Sequence, residues 1–129
     1  MRVFVKLFIA AVIIIGSVLI AVSFWVINAK VEQMVSAAMS RYDGDPVACL
    51  HHLALDESAS YVDRNDAIYA LGQIGSKRSL PVLRSLDVEI EQNKPWDRSR
   101  YIVQYEVEKA IRQINSSFII TRRMYREYR

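Results

Sequence analysis

Hydrophobic positions along the chain change their rhythm at Asn28. Between Leu7 and Ile27 they are almost continuous, with no charged residue and only Gly16, Ser17 and Ser23 diluting the Ile, Val, Leu and Phe. The run is close to the ~20 residues a helix needs to cross a hydrocarbon core. Fourteen of its side chains are Leu, Ile, Val or Phe. At roughly −0.3 to −0.6 kcal/mol each, they favour insertion by about 4 to 8 kcal/mol. Trp25 falls near the distal end, where an aromatic ring suits the interface, and Lys6 near the other end can reach the headgroups. Residues 1–27 are therefore expected to be an uncleaved transmembrane signal-anchor, with residues 7–27 in the membrane. A cleaved signal peptide is the alternative, with Ala21-Val22-Ser23 or Ile27-Asn28-Ala29 as the cleavage site. Against it stand a run longer than the about 7–15 residues of a secretory signal and the bulky Phe24 and Trp25 that follow the first of these sites.

Beyond Asn28 the period becomes helical. Val31, Met34, Val35, Ala38 and Met39 recur at three- and four-residue spacing, and no Pro or Gly interrupts the path from the anchor. A neck helix over 28–41, continuous with the anchor, is predicted. Its stripe suits packing on the following domain. A dimer seam is the alternative, and with the small pair Ser17 and Ala21 it leaves room for a homo-oligomer. A helical domain is predicted over 42–115. Asp45 and Pro46 are N-cap and first-turn residues for a helix to about Glu57, with Val47, Leu50, Leu53 and Ala54 on one face. A second helix is expected over about Tyr61 to Ile74, stopped by Gly75. A third starts near Arg78 with Pro81 in its first turn and carries Leu80, Leu83, Leu86 and Ile90. After a polar loop over 91–97, a fourth runs from about Ser99 to Asn115 with Val103, Val107, Ala110, Ile111 and Ile114 on one stripe. No segment alternates apolar and polar residues between turn signals, so the fold class is all-α.

The second and fourth helices repeat each other. Ala67, Ala70, Leu71, Gln73 and Ile74 align with Val107, Ala110, Ile111, Gln113 and Ile114 at a shift of about forty residues, a spacing typical of helical repeats. The first and third match more loosely through Pro46, Leu50 and Leu53 against Pro81, Leu83 and Leu86. The stretch from Asp66 to Gly75, with Leu71-Gly72-Gln73-Ile74-Gly75 at its end, followed by Lys77 to Leu86, resembles the HEAT-like repeat family. The resemblance implies a short α-solenoid-like domain of about two degenerate repeats and a role in binding proteins, with no catalysis. In the second copy Arg112 stands for Gly72 and Asn115 for Gly75. Arg112 suggests a terminal, solvent-facing helix, and Asn115 can still take a left-handed turn conformation.

Charge changes the picture only at the ends. The formal net charge is +3. Arg2 and Lys6 precede the anchor, while Lys and Arg nearly balance Asp and Glu after Asn28, so no nucleic-acid face is expected. The basic N-terminal flank favours a cytoplasmic N-terminus and an extracytoplasmic C-terminal domain at the cell membrane. The tail over 116–129 interleaves Arg122, Arg123, Arg126 and Arg129 with aromatic and apolar residues. It can lie on an anionic membrane, grip an acidic partner, or simply pack with a solvated basic face.

Candidate chemistry is sparse. Cys49, His52 and Asp56 share one helix face at i, i+3 and i+7, a spacing open to a metal or a thiol–imidazole pair, but no second ligand cluster follows. A buried thiol beside surface histidines is the plainer expectation. Cys49 is the lone cysteine, so no intrachain disulfide forms. Asp63 and Asp66 suit a helix N-terminus. No catalytic, cofactor or metal residue is predicted. The sequence points to a membrane-anchored helical-repeat adaptor that docks a protein partner through His51, Arg84 and the tail arginines Arg122, Arg123, Arg126 and Arg129. Alternatives are a structural subunit of a membrane complex and an accessory to a HEAT-like lyase-type enzyme.

Overall fold

The computed structural model describes residues 1–88, 97–116 and 124–128. All regular elements among them are helical: α1 (Arg2–Met39), α2 (Pro46–Leu55), α3 (Tyr61–Ile74), a 3-10 turn (Lys77–Ser79), α4 (Leu80–Leu86), α5 (Gln104–Asn115) and a 3-10 turn (Arg126–Tyr128). The chain divides into two compact units, Met1–Glu32 and Gln33–Arg129. The first is the apolar part of α1. Its serines do not interrupt the helix, because the Ser17 and Ser23 hydroxyls each donate 2.8 Å to the carbonyl four residues earlier, at Ile13 and Leu19. The most apolar window has a mean hydropathy of 2.9 and none of it is buried. By length and composition this one helix can cross a membrane. At about 1.5 Å per residue the part of α1 in the first unit is roughly 46 Å long, against a hydrocarbon core of about 30 Å. The predicted neck belongs to the same helix as far as Met39, two residues short of its expected end at Arg41.

In the second unit α1 ends with Met34, Val35 and Ala38 buried and Met39 exposed, so the predicted stripe is narrower by that methionine. Asp45 caps α2 as expected, its carboxylate accepting the Val47 and Ala48 N–H groups at 3.1 and 3.2 Å. The helix stops at Leu55, two residues short of Glu57, because the Asp56 carboxylate takes the Ser58 N–H (2.8 Å) and hydroxyl (2.6 Å) into a turn. The bounds of α3 are those predicted. Ser60 caps its start, and Gly75 ends it in the left-handed region at φ 68°, returning its N–H to the Leu71 carbonyl.

Two later boundaries differ from expectation. The segment from Arg78 begins as a 3-10 turn, and α4 ends at Leu86 with only Leu83 fully buried; Ile90 lies outside the described residues. More substantially, α5 begins at Gln104, five residues after Ser99. Asp97 folds Ser99 and Arg100 into a turn, its carboxylate accepting the Ser99 N–H at 3.1 Å and hydroxyl at 2.5 Å. Asn115 is also not left-handed: it is the last helical residue, and the cap, Ser116, is extended at φ −69°.

The core forms around α3, which packs against both α2 and α5, while α4 packs on α5. Ile68, Leu71 and Ile74 are completely buried, each worth about 1.5–3 kcal/mol relative to exposure. Gly72 decides how closely α3 and α5 approach. A Cβ there would lie 2.9 Å from the Ala110 Cα and 2.6 Å from the Gln113 side-chain oxygen. Gly72 thus packs on Ala110 and Gln113, the residues forty positions on from its own helix neighbours Ala70 and Gln73. Arg112, the counterpart of Gly72, is exposed as predicted.

Candidate functional site

The face of α2 carrying Cys49, His52 and Asp56 is occupied by the chain itself. Tyr42, in the segment between α1 and α2, meets all three. Its carbonyl oxygen accepts from the Cys49 thiol at 3.1 Å, its ring stacks on His52 with centroids 5.8 Å apart, and its hydroxyl donates to the Asp56 carboxylate. Hydrogen bonds from Ser58 and then Tyr42 hold the Asp56 carboxyl down to about 2. The bond to Asp56, reinforced by burial, pushes the Tyr42 hydroxyl above its ordinary range. Burial likewise raises the Cys49 thiol, which disfavours the thiolate that nucleophilic chemistry requires. The neighbouring Arg41 adds an ion pair to Asp63 at 2.9 Å. The trio therefore clamps the junction after α1. Among the described residues no group of three His, Cys, Asp or Glu side chains could hold a metal.

The predicted partner residues do not share one environment. His51 is half-buried, with Nε2 2.9 Å from the Oγ of the fully buried Ser79. Beside it Arg78 pairs with Asp45, the α2 cap. Arg84 stands exposed on α4. His51 is thus tied into the contact between α2 and the segment before α4, whereas Arg84 offers an open side chain. In the tail, Arg126 is exposed, while Tyr125 is 1% exposed and its ring lies 6.1 Å from Tyr128. Within the described end of the tail Tyr125 is thus packed, while Arg126 keeps its side chain exposed. Arg122, Arg123 and Arg129 lie outside the described residues. Asp63 and Asp66 sit in the first half of α3 and pair with Arg41 and with Arg98 (2.7 Å).

The chain matches no family model, no curated protein and no solved structure.

Two residues that sequence reasoning passed over carry much of the polar geometry. Tyr42 is one. Asn65, fully buried inside α3, is the other: its amide nitrogen donates to the Tyr101 carbonyl at 2.7 Å and the Arg98 carbonyl at 3.2 Å. Asn is a poor helix former, but its sequence neighbours Asp63, Arg64 and Asp66 are charged and mark the stretch as solvent-facing, so no signal of its burial stood in the sequence. Arg64 beside it donates from Nε to the Ala54 carbonyl at 3.0 Å, satisfying the end of α2.

Proposed function

We propose that this protein is a membrane-tethered adaptor whose small helical domain docks a protein partner at the membrane surface. The observation that carries it is the unburied apolar length of α1 joined to a domain with its own core. An exposed apolar surface of that size is costly in water and ordinary in a bilayer. The proposed orientation places the N-terminus in the cytoplasm and the domain outside, on the strength of Arg2 and Lys6. The forty-residue repeat of α3 in α5 and the close approach at Gly72 support a HEAT-like arrangement of helix pairs, a scaffold suited to binding. The commitment of Cys49, His52 and Asp56 to Tyr42 favours binding over catalysis.

Arg84 is the exposed side chain best placed to anchor a partner, since Arg is enriched at binding hot spots. A structural subunit held in a complex by α1 itself is the second reading, favoured by the small-residue pair Ser17 and Ala21 on that helix. The test is recovery of partners from native membranes, identified by mass spectrometry, for three full-length forms: wild type, Arg84→Glu, and a chain whose residues 1–27 are replaced by an unrelated transmembrane helix. A docking domain keeps its partner after the anchor swap and loses it with Arg84→Glu. Loss on the swap with full recovery by Arg84→Glu establishes the subunit instead.

A further inference from the structure

The boundary between α2 and α4 is thinly packed: α3 packs extensively on α2 and α5, whereas α2 and α4 touch at few places. Two side-chain links cross from α2 to the turn that starts α4. Asp45, the α2 cap, pairs with Arg78, and His51 meets the hydroxyl of Ser79 at 2.9 Å. The links are adjacent in sequence on one side, Arg78 next to Ser79, so the positive charge of Arg78 acts directly on the His51 ring. Ser79 is fully buried and His51 half-buried.

We propose that His51 is the releasable half of this two-point clasp, closed while its imidazole is neutral and loosened when the ring takes a proton. Protonation puts a second cation beside Arg78 on a ring that is half-buried, so water screens the repulsion only in part. Asp45 offsets this only in part, because its carboxylate is already shared between Arg78 and the α2 backbone N–H groups. The charged and titratable groups acting on His51 are Asp45 and His52 on the α2 side and Arg78 on the turn; among the described residues α3 and α4 contribute none. Burial first, and Arg78 second, hold the imidazole below its ordinary range. The sign follows: a histidine depressed in the folded state stabilises the clasp above the unfolded value, and that contribution is lost as pH falls through the folded one. The device belongs to the domain and stands whether or not the domain docks a partner.

The experiment is amide hydrogen exchange on the full chain in lipid nanodiscs, followed in α2 and α4 at pH 7.5 and 5.5 and corrected for the intrinsic chemical rate. The expected result is more frequent opening of both helices at pH 5.5, several-fold and bounded at about tenfold by an unfolded histidine titrating near 6.5. His51→Gln, which keeps a neutral hydrogen-bonding group, is expected to show no such acceleration. An equal acid response in wild type and His51→Gln, or none in wild type, overturns the proposal. Should His51→Gln fail to fold, the ring-proton titration of wild-type His51, assigned with the help of His52→Gln, decides the matter. A midpoint below 6.5 supports the clasp, and one at or above 6.5 overturns it.

Discussion

The side-chain oxygen of Asn65, in the first half of α3, accepts the backbone N–H of Val103, the N-cap of α5, at 2.8 Å and so pins the start of a helix that has no side-chain cap of its own. The same amide donates to the Arg98 and Tyr101 carbonyls. One buried side chain thus holds the path of the chain from 98 to 103 against the central helix. Asn65→Leu removes these partners at once and leaves buried backbone groups unpaired, each worth about 1–3 kcal/mol. We expect a loss on the order of 3 kcal/mol in the denaturant unfolding of the full chain in mild detergent. Asn65→Asp keeps the acceptor for Val103 but turns a buried carboxylate onto the Tyr61, Arg98 and Tyr101 carbonyls, so it should destabilise at least as much as Leu. A midpoint unmoved by Asn65→Leu would mean that the loop is held by something else.

Gly72→Ala is expected to destabilise by about 1–3 kcal/mol through overpacking. The new methyl group meets the backbone of Ala110 at 2.9 Å, and backbone cannot swing aside as a side chain can. Adding Ala110→Gly relieves the contact with the Ala110 Cβ, 3.0 Å away, but not the one with its Cα. The double variant should therefore recover part of the loss and no more. Full additivity of the two changes would place α3 and α5 further apart than described here.

Acid should act on the Tyr42 clamp in a narrow window. The Asp56 carboxyl is held at about 2, below its ordinary value of 3.8. A depressed carboxyl contributes stability that is present above the unfolded value and lost as pH falls through the folded one. Thermal melts of wild type and Tyr42→Phe should differ at pH 5, because Phe keeps the stack on His52 and loses only the hydrogen bond to Asp56. That gap should close between about pH 4 and pH 2. A gap of constant size across the range would remove Asp56 from the account.

The topology is checked by two fusions after Arg129. With a cytoplasmic N-terminus, as the basic flank favours, alkaline phosphatase fused there is active and a fluorescent protein that matures only in the cytoplasm stays dark. The reverse pattern would put the domain in the cytoplasm.

Local chemistry was legible in the residues alone. The uncharged run from Leu7 to Ile27, the Asp45-Pro46 helix start, the Gly75 stop and the apolar stripe of α3 each depend on near neighbours in sequence. They came out close to their predicted places because composition, capping and a 3.6-residue period act over a few residues. The exposure of Arg112 was legible for a related reason: it breaks the small-residue pattern at the position where Gly72 permits a close neighbour. What only the tertiary structure decided involves partners far apart in the chain. The late start of α5 follows from Asn65, thirty-eight residues before Val103. Cys49 is buried as expected, but its face, with the expected surface residue His52 and with Asp56, is taken by Tyr42, and His51, which looked free, is held by Ser79. A polar side chain carries no mark of the group it will meet. Its role is settled by which helices the burial of Ile68, Leu71 and Ile74 brings together, and that is a property of the packed core and not of any window of sequence.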